Sequence, residues 1–327
     1  MFIALLSVLL QAVPAAPIQA DLHLDTPTQL HRKGLPLDAP SGLEAGLPQL
    51  QAGGTNLAVE VLWPPRTADW REHTFMLLDK LEAQDQRLEA IALARTPAQA
   101  RAITDSGRIA YLVALEGAHG LGDGDWRPTL DRLHARGLAV LGLTWSISNP
   151  FAGSSGDGGG GLTEQGRELL AYARTRGIVI DLSHASRQTT LEVCRDSPVP
   201  VIASHSNAHG QQGHKRNLSD EEVRCIAATG GVIGLNFHAP FVGGSRDVAA
   251  VADHADYLAR VAGHQVVALG SDFDGLITPP KGLSDASAIP ALWAELARRG
   301  WTEEQLAGVR GENFMRAWSA VQRGVTN

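Results

Sequence analysis

A chain of 327 residues, 44% hydrophobic, with 35 glycines and 17 prolines, can form one large domain or two ordinary ones and is too apolar to be disordered. Its 35 acidic against 28 basic side chains give a net charge of -7, and no Lys/Arg block is present, which argues against nucleic acid or an anionic membrane as partner. Its two cysteines, Cys194 and Cys225, offer neither a disulfide framework nor a CxxC zinc knuckle, so any metal site must be built from His, Asp and Glu.

The opening MFIALLSVLLQAVPAAP is apolar from Phe2 to Leu10 and nearly so to Ala16. That is the length of a signal-peptide hydrophobic region followed by small residues, and too short for a membrane span. Because no Lys or Arg precedes the run, the competing reading is an N-terminal packing segment of a cytoplasmic enzyme. The expectation is a leader or N-terminal segment at 1–17, export to the periplasm or cell exterior, and one domain over 18–327.

Apolar, β-rich runs follow in order: Ile18 to Leu24, Thr55 to Trp63, Ile109 to Leu115, Leu138 to Thr144, Ile178 to Leu182, Val199 to Ser204, Val232 to Phe237 and Val266 to Gly270. In the first run alternate side chains share a face, so His23 and Asp25 should project side by side. Between the runs, apolar residues at three- and four-residue spacing predict helices over Asp69 to Ala94, Trp126 to Arg136, Thr163 to Arg176, Asp220 to Thr229 and Ala249 to Val261. Thr163 and Ser219, the latter with Glu222 three positions on, are expected N-caps, and Gly137, Gly177 and Gly263 fall where helices should stop. After the fourth run GSSGDGGGG, Gly153 to Gly161, predicts a flexible loop. Eight strands alternating with helices imply parallel pairing, and in one domain of this size they most simply close as an α/β (β/α)8 TIM-type barrel.

Active sites of such barrels are assembled at the C-terminal ends of the strands. Those ends carry His23 and Asp25, Glu116 (ALEGAHG), His184 (DLSHAS), His205 (ASHSNAH) and Asp272 (GSDFDG). A single histidine is more often a hydrogen-bonded core or surface residue than a ligand. Six such groups converging on one mouth cannot all be dismissed that way: without a cation they would set like charges against one another at a large desolvation cost, and one or two divalent ions reverse that sign. Mixed imidazole and carboxylate ligation without thiolates suits Zn²⁺, with Mn²⁺, Co²⁺ or Fe²⁺ as chemical alternatives. His119 and His209, three and four residues beyond Glu116 and His205, are candidate orienters of the ligands, with local loop hydrogen bonding as the competing reading. His31, His73, His134, His254 and His264 read as surface or packing residues, His214 and His238 are unassigned, and both cysteines read as structural.

HLD, EGAHG, GLTEQGRELLAYARTRGIVIDLSHAS, PVIASHSNAH, KRNLSDEEVRCIAATGGVIGLNF, LARVAG and GSDFDG, in this order from about Asp21 to Trp318, resemble the membrane (renal) dipeptidase family. The resemblance implies a metal-dependent amidohydrolase-type barrel with two zinc ions that hydrolyses dipeptides, often as a homodimer. By position, His23, Asp25 and a bridging Glu116 would hold one zinc, and Glu116, His184 and His205 the other. Asp272 would be the proton-transfer carboxylate and Arg216 the partner of the substrate's C-terminal carboxylate. The implied reaction is attack on the amide by a water bridging the two metals. One position departs from the family: Trp145 stands in LTW where well-studied members have LTH, a histidine thought to contact the scissile carbonyl. An indole donates one hydrogen bond but neither ligates metal nor carries charge. The competing functions are hydrolysis of another amide, lactam or ester on the same scaffold, and a barrel that binds metal or solute without catalysis.

Overall fold

The computed structural model describes residues 17–65 and 69–325; of the expected N-terminal segment all but Pro17 lies outside the described residues. Among the described residues nine strands alternate with helices: β1 (Ala20–Leu24), β2 (Leu57–Leu62), β3 (Ile91–Leu93), β4 (Ile109–Leu115), β5 (Leu138–Gly142), β6 (Val179–Asp181), β7 (Val201–Ile202), β8 (Ile233–Leu235) and β9 (Val267–Leu269). β1, β2, β4, β5, β6 and β7 form a parallel path, and β8 pairs with β9. Parallel bridges Ala203–Ile233 and Leu24–Phe273 join the two sheets, so the eight expected strands curl into one ring, the TIM-type barrel. No helix among the described residues is long and apolar enough to cross a membrane.

Three expectations need correction. The first long helix ends at Arg87, not Ala94: Leu88 turns to an extended backbone, and Ile91–Leu93 becomes β3, paired with the N-terminal half of β4. The hydrogen bonds offered by β4 outweigh a helical spacing that runs on past its true end. The Gly-rich loop is packed rather than loose: Ser154 Oγ donates to the Trp145 carbonyl at 2.6 Å and lies 3.1 Å from that of His184, which accepts from Ser155 N. A Cβ on Gly156 would stand 1.8 Å from the Ser146 carbonyl oxygen, so glycine here permits close approach rather than mobility. Finally, Cys194 and Cys225 form a disulfide across 31 residues, joining helices Arg187–Arg195 and Asp220–Ala228. The two helices follow adjacent strands, β6 and β7, and so lie side by side on the barrel. Closing a loop of 31 residues should stabilise the fold by about 3–4 kcal/mol. The double variant Cys194→Ala/Cys225→Ala is therefore expected to melt several degrees lower, with unchanged metal content, in calorimetry.

Other boundaries follow local chemistry. Thr163 caps helix Glu164–Arg174 through Gly166 N; Ser219 and Glu222 form the reciprocal capping box of helix Asp220–Ala228. The inside of the barrel is filled by small and branched side chains such as Val59, Val61, Leu112, Ala114 and Val140, in a cluster that continues onto Phe314 and Trp318 of the last helix. The alternate residues Ala58, Leu62, Tyr111 and Leu115 belong to the outer cluster under the helices. At β1 the alternation breaks: Asp21 faces Ala58 but Leu24 faces Glu60, so Leu22 and His23 together oppose one residue of β2. Such a bulge shifts every later side chain by one position. Leu22 stays with the inner cluster, Leu24 joins the outer one, and His23 and Asp25 are turned to the mouth.

Candidate metal centre and active site

The six candidate donors stand just beyond or within the last residues of β1, β4, β6, β7 and β9, and the structure brings all six to one end of the barrel. The inner cluster ends against them: Leu22, Val61, Ala114 and Val140 border a tight space with His23, Glu116, Asp181 and Ser204. Gly234 and Gly270 let β8 and β9 close in at this level, since a Cβ on either would lie within 1.8 Å of the Ser204 carbonyl oxygen.

Glu116 lies among the imidazoles. Its Oε1 is 2.9 Å from His184 Nε2, 3.5 Å from His205 Nε2 and 3.7 Å from His23 Nε2. His23 Nε2 is 3.6 Å from Asp25 Oδ2, and the Nε2 atoms of His184 and His205 are 3.1 Å apart. Two groups, His23–Glu116–His205 and His23–Asp25–Asp272, have donor atoms mutually within 4.8 Å. All but Asp272 are at least nine-tenths buried. Two of the six donors take a left-handed backbone, His184 at φ 66° and Asp272 at φ 69°, each at a cost of about 1–2 kcal/mol. Asp274 and Leu276, just beyond Asp272, share that conformation, at φ 64° and 60°.

Electrostatics point the same way. Burial pushes the Glu116 carboxyl well above its usual range, with Asp25 and Asp272 adding repulsion. Burial likewise pushes Asp272 up to about 7, where the neighbouring Asp25 works in the same direction and His23, Asn236 and Arg216 oppose it. Burial holds His184 and His205 well below the normal imidazole range. Burial disfavours charge on His23 too, but Glu116 and Asp25 more than offset it and raise this imidazole to about 10. The acids thus favour positive charge at the centre while the two other imidazoles resist taking a proton. A divalent cation satisfies both demands.

How the imidazoles are aimed was not legible in advance. The Ser204 hydroxyl donates to Asp181 Oδ2 at 2.6 Å, and its oxygen stands 3.1 Å from His23 Nδ1 and 2.8 Å from His205 Nδ1. A hydroxyl has one proton and two lone pairs. With the proton given to Asp181, both imidazoles must donate from Nδ1, so that once His23 is neutral, as a ligand must be, both Nε2 lone pairs face Glu116. Asp181 is fixed in turn by the backbone N–H groups of Ser183 and Ser204 at 2.9 and 2.8 Å. His23 Nε2 is buried without any hydrogen-bond partner, as a nitrogen facing a cation should be. His184 Nδ1 meets Ser146 Oγ at 3.2 Å, and Asn236 donates to Asp272 Oδ2 at 2.9 Å. The one available signal for these residues was adjacency, in DLSH and ASHS. Removing groups that orient metal-ligating histidines commonly costs 10- to 100-fold in affinity. Ser204→Ala is therefore expected to weaken metal binding about that much in chelator competition, with Ser204→Thr retaining most of it.

Arg216 is buried; its Nη2 donates to the His205 carbonyl at 3.2 Å and its Nε has no partner. It borders a cavity of about 320 Å³ with His184, His209, His214 and Lys215. A wider cavity of about 400 Å³ opens over Asp25, Glu116, His184 and Asp272 and is walled by Trp63, Trp145, Phe241, Leu276 and Ile277. Trp145 stacks obliquely against Trp63, centroids 5.1 Å apart, and its ring is 6.3 Å from that of His184. His119 Nε2 lies 3.0 Å from the Pro64 carbonyl and its ring meets Trp70 edge-on; His209 is exposed. His214 and His238, unassigned from sequence, both pack on Phe241 at 4.5 Å.

A family model described as membrane dipeptidase (peptidase family M19) matches residues 9–326. Two curated relatives are each 33% identical: an uncharacterized dipeptidase C965.12 of Schizosaccharomyces pombe, over 68% of this chain and 55% of its own length, and dipeptidase verJ of Clonostachys rogersoniana, over 72% and 61%. The matched stretch thus spans less than two thirds of either relative. A crystal structure of dipeptidase AC, a metallopeptidase of family M19, superposes with a TM-score of 0.86 at 29% identity, covering 93% of this chain and all of that one. A metallopeptidase from Rhodobacter sphaeroides, liganded with a phosphinate mimic of the dipeptide L-Ala-D-Ala, does so at 0.85 and 27% identity, covering 93% of this chain and 99% of that one.

Proposed function

This chain belongs to the membrane dipeptidase family, peptidase family M19, and on that premise we propose that it is a binuclear zinc-dependent dipeptidase. The observation that carries the reading is the reach of one carboxylate oxygen, Glu116 Oε1, to the Nε2 atoms of His184, His205 and His23 at 2.9, 3.5 and 3.7 Å. A carboxylate shared between two ions takes such a position. His23 and Asp25 with Glu116 would hold one ion, and Glu116 with His184 and His205 the other. When bound, the ions supply Lewis acidity toward the scissile carbonyl and lower the pKa of water.

The remaining work belongs to side chains. Asp272, held by Asn236 at 2.9 Å, accepts the proton of the attacking water and returns it to the leaving amine. Arg216 offers a planar donor fork with an unpartnered Nε to the C-terminal carboxylate, which restricts substrates to one residue beyond the scissile bond. Trp145 contributes shape without charge, so carbonyl polarisation falls to the ions. Export is part of the proposal: the Cys194–Cys225 disulfide suits an oxidising compartment, and so does an apolar leader.

The test is a panel of dipeptides beside N-acylated amino acids and lactones, assayed with the zinc-loaded protein and after chelation. Chelator-sensitive, zinc-restored cleavage of dipeptides is expected. Cleavage confined to the acylated amino acids or lactones, or turnover that survives chelation, would contradict it.

A further inference from the structure

We propose that the preferred substrate carries a bulky apolar side chain on its N-terminal residue, received by the Trp63–Trp145 wall. The inference deepens the dipeptidase reading and rests on it.

The two cavities that meet at His184 are chemically unlike. The charged groups of the wider one are all acidic: Asp25, Glu116, Asp272 and Asp274. The other holds Lys215 and Arg216, with Arg187 paired to Glu221, against a single acid of its own lining, Glu222, whose carboxylate accepts from Ser219. A dipeptide is a zwitterion. Its carboxylate end is drawn to the basic cavity, whose charge the proposed ions do not cancel, and its amide lies over the donors between the two cavities. The N-terminal side chain then lies in the wider cavity.

Of the neutral polar groups on that cavity, Thr28 Oγ1 and Trp63 Nε1 are buried from solvent without a partner, and His238 Nδ1 already accepts from the Thr278 N–H at 3.1 Å. The Asp274 carboxylate is already engaged by the backbone N–H groups of Glu44 and Ala45 and by Thr26. What stands open is apolar. Trp63 and Trp145 are both only half-buried, and their rings lie 5.1 Å apart at 59°, two indole faces inclined to each other. Leu276 borders the same cavity on a left-handed backbone, φ 60°, with its side chain 62% exposed. A leucine kept in solvent on a strained backbone gains nothing from the core. Covering it and the indoles with a substrate side chain removes apolar surface from water on both partners. An alanine side chain is too short to do so.

The experiment measures kcat/KM for Leu-Gly, Ala-Gly and Gly-Leu with the zinc-loaded full chain, alongside calorimetric binding of the phosphinate analogues of Leu-Gly and Ala-Gly. Leu-Gly is expected to exceed Ala-Gly by roughly tenfold or more in both readouts, the effect of a few methylenes entering an apolar pocket. The ratio should shrink severalfold in Trp145→Ala and in Leu276→Asn, each checked for fold by circular dichroism and for zinc content. Equal rates for Leu-Gly and Ala-Gly, a preference for Gly-Leu, or a ratio unmoved in both folded variants would overturn the inference while leaving the dipeptidase reading intact. Failure to cleave any dipeptide would instead remove that reading, and this inference with it.

Discussion

Asp272→Asn should leave the metal content unchanged and lower kcat by roughly 10²- to 10⁴-fold, the usual contribution of a positioned proton-transfer group. The substitution keeps the shape of the side chain and can keep a hydrogen bond with Asn236, but an amide cannot take a proton from water and return it to an amine. The carboxylate is placed for that work by a left-handed residue at φ 69° and by Asn236 at 2.9 Å. It is pushed up to about 7 by burial, which in itself favours proton exchange near neutral pH; bound cations would draw it down again. The check is metal analysis and steady-state kinetics on the same preparation. A variant with both metals and full turnover would refute the proton-transfer role.

Glu116→Gln should have the larger effect, because one atom of Glu116 reaches all three imidazoles. Replacing the carboxylate with a neutral amide removes the negative charge shared by both proposed ions. It also leaves Asp25 and Asp272 as the remaining acids among the candidate donors. Metal stoichiometry is expected to fall by at least one ion per chain, and kcat/KM by more than about 10⁴-fold, since without the ions neither the carbonyl nor the water is activated. Elemental analysis after exhaustive dialysis reads the first effect and a dipeptide assay the second. Retention of two ions would show that Glu116 is not shared between them.

The barrel was legible because its strands are short apolar runs that end on ionisable residues, a pattern that alternation and turn chemistry mark locally. His23, Asp25, Glu116, His184, His205 and Asp272 could be picked out for the same reason: His23 sits at the end of the first apolar run and each of the others follows a run by a residue or two, where a barrel opens its mouth. What sequence could not reveal depends on neighbours far apart in the chain. β3 forms because β5 pairs only with Val113–Leu115 of β4 and leaves the edge of its N-terminal half open, and the Cys194–Cys225 pairing exists because two helices 31 residues apart pack together. The β1 bulge, which sets the parity of His23 and Asp25, is a matter of register against β2. Ser204 looks like a spacer beside His205 until β1 brings His23 to its other side. Trp63, Phe241 and Leu276 carry no local mark of function, and only the folded loops show that they share a cavity with the donors. Arg216 would read as a surface residue flanking a helix were it not for the family motif around it, yet it is buried.

Central to the account is the claim that divalent cations neutralise the buried acids and imidazoles at the C-terminal end of the barrel. Inductively coupled plasma analysis of the purified protein, followed by zinc titration of the chelated form, tests it most directly. Two ions per chain, bound as isolated or taken up stoichiometrically on titration, is the predicted result. A folded protein that contains no divalent transition metal and takes up none would contradict it.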